Sequence, residues 1–118
     1  MTITVGALVQ AMPALNKLAA QELPVRESYR LAKLIRKASV EVEIYERERL
    51  TLCEKYGRKV EAENRYELND VDGFNCAYSE LIAQETDLDA EPVKLSDNIK
   101  LSAAEIISAE DFIKIEED

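Results

Sequence analysis

The chain has no histidine and no tryptophan, and its 118 residues hold only three glycines, three prolines and two cysteines. The absence of histidine removes the commonest general base, the usual catalytic triad and most zinc sites together. Carboxylates are then the only plentiful acid–base candidates. Cys53 and Cys76 stand apart and fit no CxxC pattern, so both read as buried, reduced thiols. No apolar run approaches the roughly 18 residues that a bilayer span requires. The N-terminus also lacks the basic start and apolar core of a signal peptide, which predicts a cytoplasmic protein.

Scarce glycine and proline make the next feature stand out. Val25 to Tyr56 contains neither, with Pro24 just before it and Gly57 just after. That is the asymmetry of a helix start and a helix stop. Its 32 residues would form a rod of roughly 48 Å. Leu31, Ile35, Ala38, Val42, Tyr45, Arg49, Leu52 and Tyr56 alternate spacings of 4 and 3, a coiled-coil-like seam with one charged position, Arg49. Leu34 and Ile44 widen it.

The remaining elements follow from period and punctuation. Val5, Leu8, Met12, Leu15 and Ala19 make one apolar stripe over 4–21, with Thr4 as N-cap and a kink or break expected at Pro13. A corner at Glu22-Leu23-Pro24 should fold this helix back on the long one as an antiparallel hairpin. Lys59 to Leu68 changes to period two around Asn64-Arg65, the pattern of a β-hairpin or extended arm. Asn69 or Asp70 caps a third helix running to about Glu85, with Val71, Phe74, Tyr78, Leu81 and Ile82 as its stripe. Val93-Lys94-Leu95 and Ile99-Lys100-Leu101 read as a second small hairpin or a clasp. Ser102-Ala103-Ala104-Glu105 is a capping box for a short last helix, with a repeat at 108–111, and the final Glu-Glu-Asp is expected to fray.

The predicted fold is mainly α with small β elements in one domain: a helical hairpin over 1–57, a β-hairpin or arm over 58–69, a third helix over 70–86, and a clasp with a short helix over 87–118. The first helix can cover only the first half of the rod. The second half, Ile44 to Tyr56, needs the third helix, the tail or another chain.

Charge divides the chain. Residues 1–58 hold ten Lys/Arg against seven Asp/Glu, and residues 59–118 hold five against seventeen, so the halves carry +3 and −12. Such a chain can fold one half on the other or offer an acidic face to a basic partner. A net charge of −9 disfavours direct nucleic-acid binding, which needs a basic footprint. Asp70-Val71-Asp72-Gly73 fails as a calcium loop, since alignment on Gly73 puts Leu68 and Ser79 at the first and last ligand positions. Asp87-Leu88-Asp89-Ala90-Glu91 has Pro92 where glycine is required. Both clusters read as helix-end capping and loop solvation, and no cofactor or metal site is predicted. Arg26, Arg30, Lys33 and Lys37 form a basic stripe at 4, 3, 4 spacing, opposite most of the seam. It reads as a solvated face partly neutralised by the acidic tail, or as a contact strip for phosphate or an acidic surface. The aromatics default to core packing.

Several landmarks run in a familiar order. They are Ala14-Leu15-Asn16-Lys17-Leu18, Leu23-Pro24, Tyr29-Arg30-Leu31-Ala32-Lys33-Leu34, Lys55-Tyr56-Gly57, Phe74-Asn75, Glu80-Leu81-Ile82 with Glu85, Pro92-Val93-Lys94-Leu95 and Leu101-Ser102. Over about residues 3 to 102 the chain resembles a family of small uncharacterised proteins encoded in phage and prophage genomes. The resemblance implies no catalytic residues. It implies a phage setting in a bacterial host, in the cytoplasm or with the virion, and an interaction role.

The leading reading is a non-enzymatic assembly component or accessory factor that contacts proteins, a second copy of itself among them. Its candidate surface is Arg26, Arg30, Lys33, Lys37, Tyr45, Arg49, Leu52 and Tyr56. An acidic nucleic-acid mimic that inhibits a host protein is the alternative, and a carboxylate-dependent metal enzyme the second.

Overall fold

The computed structural model of the chain describes residues 1–116. Its first elements are β1 (Thr2–Thr4), α1 (Val5–Ala19), α2 (Val25–Tyr56), β2 (Gly57–Val60) and β3 (Arg65–Leu68). Then come α3 (Val71–Ile82), β4 (Glu85–Asp87), β5 (Val93–Leu95), α4 (Ala103–Ala109) and β6 (Ile113–Ile115). The fold is mainly helical with small strand pairs, as the sequence predicts. The expected fraying of the last residues falls largely on 117–118, outside the described residues.

The long helix begins and ends at its expected residues, but Gly57 stops it for a different reason than left-handed capping. Its φ is −157°, which is extended backbone open to any residue. Glycine is needed because a Cβ there would lie 2.5 Å from the Glu67 carbonyl oxygen and 3.0 Å from that of Cys53. The chain turns directly from helix into β2, which pairs antiparallel with β3 from Gly57↔Leu68 to Val60↔Arg65. A 3-10 turn at Glu61–Glu63 and Asn64 in the left-handed region (φ 49°) join the two strands. Asparagine tolerates that conformation better than most residues. The Asn69 and Asp70 amides then donate to the Tyr56 carbonyl at 2.8 and 3.0 Å, satisfying a helix-end acceptor.

The core lies at the other end. Leu8, Ala11, Ala14, Leu15 and Leu18 of α1 are buried with Leu31, Leu34 and Ala38 of α2, and with Leu95, Ala109, Phe112 and Ile113. α1 packs against α2 on one side and α4 on another. This explains why Ala11, Ala14 and Leu18 are buried beyond the predicted single stripe, while Ala19 is exposed. Thr4 caps α1 as expected, its hydroxyl accepting from Ala7 N at 3.2 Å. The break expected at Pro13 does not occur, and α1 is one uninterrupted helix. Pro13 is exposed, so its ring points to water and displaces no core group.

The second hairpin is also corrected. Val93–Leu95 pairs in parallel with Ile113–Ile115, and α4 supplies the crossover that a parallel pair requires. Ile99 to Leu101 forms no strand, because its backbone is bound by a side chain. The Gln21 amide accepts from Lys100 N and donates to Lys100 O, both at 2.9 Å. Nearby, one Glu27 oxygen accepts from both the amide and the hydroxyl of Ser96 at 2.7 Å, fastening this loop to the first turn of α2. β1 and β4, antiparallel from Thr2↔Asp87 to Thr4↔Glu85, were not legible. Three residues are too few to display a period.

The predicted capping box forms at Ser102 and Glu105. Its repeat at 108–111 does not, since the Ser108 hydroxyl bonds back to the Glu105 carbonyl at 2.8 Å. Among the thiols, Cys53 is buried but Cys76 is exposed. Cys76 lies on the outer side of a helix that has no fully buried residue.

Two tests follow. Gly57→Ala should destabilise the protein by about 1–3 kcal/mol through overpacking against backbone, measured by urea unfolding, and an unchanged midpoint would refute the close-approach account. Glu105 accepts from the Ser102 amide, then from Lys17 Nζ at 2.9 Å, and these bonds hold its carboxyl down at about 2. A lowered carboxylate pKa adds stability above the unfolded-state value, and that stability is lost as pH falls through the folded value. Glu105→Gln should therefore melt below wild type at pH 6, with the gap closing between about pH 4.5 and pH 2. A gap independent of pH would reject this assignment.

Candidate functional site

The eight residues predicted as a contact surface divide into two groups on different faces of α2. Tyr45, Arg49, Leu52 and Tyr56 turn inward. Tyr45 is 5% exposed, and its hydroxyl lies 2.6 Å from that of Tyr78 on α3. The two rings meet edge to face with centroids 6.3 Å apart, and Phe74 stacks on Tyr78 at 5.7 Å. Burial, then the bond to Tyr78, pushes the Tyr45 phenol up to about 12. Arg49 is partly buried and pairs with Glu46 one turn earlier at 3.0 Å. Leu52 and Tyr56 are half-buried, with Gly73 of α3 so close that a Cβ there would lie 2.9 Å from the Tyr56 ring. These four form the joint between α2, α3 and the β2–β3 hairpin.

Arg26, Arg30, Lys33 and Lys37 face away from that joint. None makes an ion pair among the described residues, and neither do Arg36 and Lys94. The predicted neutralisation by the acidic half is slight, for Lys37 reaches only the backbone carbonyl of Asp89. Arg30, Lys33 and Lys37 line an open cleft of about 420 Å³ beside the 90–94 segment, which adds Lys94 and one carboxylate, Glu91. The arrangement is unfavourable for an isolated helix. Arg26/Arg30 and Lys33/Lys37 are like-charge pairs at i,i+4, each costing about 0.2–0.5 kcal/mol, and cations in a first turn oppose the helix dipole.

α2 also carries an exposed apolar stripe that the inner seam obscures in the sequence. Val25, Tyr29, Val40, Ile44 and Leu50 are exposed by 40% to 83%. Tyr29 is not core, since it is exposed, and Ile44 sits at the edge of the inner stripe, half-exposed in a cleft beside Val5, Tyr45 and Leu81. A signal was present: Val25, Tyr29, Ala32, Arg36, Val40, Glu43, Arg47 and Leu50 follow spacings of 3 and 4. Three charged members hide this second stripe, so the stronger inner one draws attention first.

Of the two acidic clusters, one takes the predicted capping role and the other ties the N-terminus. Asp70 caps α3 by accepting from Gly73 N at 2.9 Å, and Asp87 accepts from the Met1 ammonium and from Asp89 N. No helix among the described residues is long and apolar enough to cross a membrane. No protein-family model, curated protein or solved structure matches the chain.

The tyrosine joint is testable. Tyr45→Phe removes one partner of the hydroxyl pair and should cost about 0.5–1.5 kcal/mol. Hydrogen exchange should speed up in 71–82 and in the second half of α2 while α1 stays protected. Uniform loss of protection would show that the far end is not a separate unit.

Proposed function

We propose that this protein acts by contacting other proteins rather than by catalysis, as an assembly component or accessory factor of the phage or prophage type. The outer face of α2 is its contact surface. One observation carries this reading: five of the seven large hydrophobics exposed among the described residues sit on that one helix. Scattered apolar residues are normal on a soluble protein, but a run along one helical face is an association surface. The unpaired cations beside it add preference for an acidic partner surface. The phage setting rests on the order of landmarks from Ala14 to Ser102.

The shape agrees with an interaction role. The molecule measures 54 × 30 × 23 Å with a radius of gyration of 16.9 Å, against about 13.5 Å for a compact domain of this length. Its surface of 8022 Å² exceeds the roughly 6,500 Å² of a compact monomer this size by about 1,500 Å². Specific protein contacts bury about 1,200–2,000 Å².

Affinity capture from host cells with wild type and with Val40→Glu/Ile44→Glu checks this reading. Both side chains are solvent-exposed, so the double variant should keep the wild-type fold by circular dichroism. Capture should fall at least about ten-fold, since a charge at the centre of an apolar contact is left without a partner. Undiminished capture would sink the proposed surface. If that capture also collapsed in salt, it would favour the acidic-mimic reading.

A further inference from the structure

α2 divides its charge along its length, and that division selects a partner for its exposed face. Residues 25–40 hold five Lys/Arg and one Glu, net +4, and residues 41–56 hold five Glu and three Lys/Arg, net −2. The division falls at the middle of the helix, next to Val40 on the exposed apolar stripe. A helix with a basic first half and an acidic second half complements itself when two copies run antiparallel. It repels itself when they run parallel.

We infer that the partner is a second copy of this chain, packed antiparallel along α2 about a two-fold axis near Val40. This rests on reading the outer face as a contact surface and names what occupies it. The two-fold places Val40 and Ile44 of both copies at the centre. Each Arg36 then lies opposite the Glu43 of its partner copy, seven residues away on the same stripe. Lys33 and Lys37 approach the flank that carries Glu41 and Glu48, because antiparallel helices present like flanks to each other. The unpaired cations and the exposed apolar stripe are thereby satisfied by one arrangement. A strip about 48 Å long and about 12 Å wide gives roughly 1,200 Å² in total, the lower end of specific interfaces.

Sedimentation equilibrium at tens of micromolar is expected to show a reversible dimer that weakens as salt rises. Val40→Glu/Ile44→Glu should raise the dissociation constant at least ten-fold with unchanged circular dichroism. Arg36→Glu and Glu43→Arg should each weaken the dimer several-fold, and the two together should restore it. The pair is not in contact within one helix, so recovery requires two chains. Direction is read by oxidation in a Cys76→Ser background. Val40→Cys should cross-link, whereas Val25→Cys should not, its two positions being about 45 Å apart. A strictly monomeric wild type, or equal cross-linking at both positions, overturns the antiparallel dimer. If the monomeric result comes with capture that Val40→Glu/Ile44→Glu abolishes, the dimer is overturned and the contact surface stands.

Discussion

A helix of 32 residues presents more side-chain surface than the rest of a 118-residue chain can cover, and the architecture follows from how the remainder is allocated. α1, α4 and the β5–β6 pair are all spent near the first half of α2, where Leu31, Leu34 and Ala38 are buried. The second half receives α3 and the β2–β3 hairpin and buries only Tyr45 and Cys53. One continuous helix therefore runs through two energetic regimes. The near end rests on apolar burial, and each fully buried Leu or Phe there contributes about 1.5–3 kcal/mol. The far end rests on a hydroxyl pair, a short ladder and exposed ion pairs such as Arg58–Glu67, whose typical worth is below about 1 kcal/mol. Local opening should begin at that end, because opening free energy tracks buried apolar contact.

Within the near end, α1 is the element on which the others close. It offers alanines at 11 and 14 beside leucines at 8, 15 and 18, and meets Ala38 and Ala109 across its contacts. Small residues let helices approach while the leucines fill the space between them, which is the density that interiors require. The three-residue strands are too short to be stable alone, and they work as clasps. β1–β4 ties the start of α1 to the end of α3, where Val5 N also donates to Gln84 O at 2.8 Å. β5–β6 carries the tail across α4 and buries Phe112 completely.

Legibility in the sequence followed the length of each pattern. α2 was readable to the residue, because 32 positions without glycine or proline leave no other regular structure. The caps at Thr4, Asp70 and Ser102 were readable because their chemistry is local. The Pro13 break failed because proline costs depend on the face it occupies, and that face is set by tertiary packing. The parallel β5–β6 pair was hidden because its partners lie twenty positions apart, and nothing in a triplet names its partner. The basic stripe was legible, but its isolation from the acidic half was not. Tyr45, Leu52 and Tyr56 looked like a free surface only because the reach of α3 and the hairpin could not be judged from spacing.

The placement of charge on α2 works against the isolated helix. A helix that only needs to be soluble can alternate Glu and Lys at i,i+4 and gain a few tenths of a kcal/mol from each pair. The second half of α2 partly does this, as the Glu46–Arg49 pair shows. The first half does the opposite, stacking Arg26, Arg30, Lys33, Arg36 and Lys37 with only Glu27 among them. That carboxylate is already committed to Ser96. The dipole opposes Arg26 in the first turn and like charges four residues apart repel along the rest, so neither solubility nor helix stability accounts for the arrangement. An external acidic surface would, and in the antiparallel dimer inferred above the acidic second half of the second copy is that surface. On that inference, the self-repulsion of the isolated helix would become a bias toward association and toward one direction of pairing.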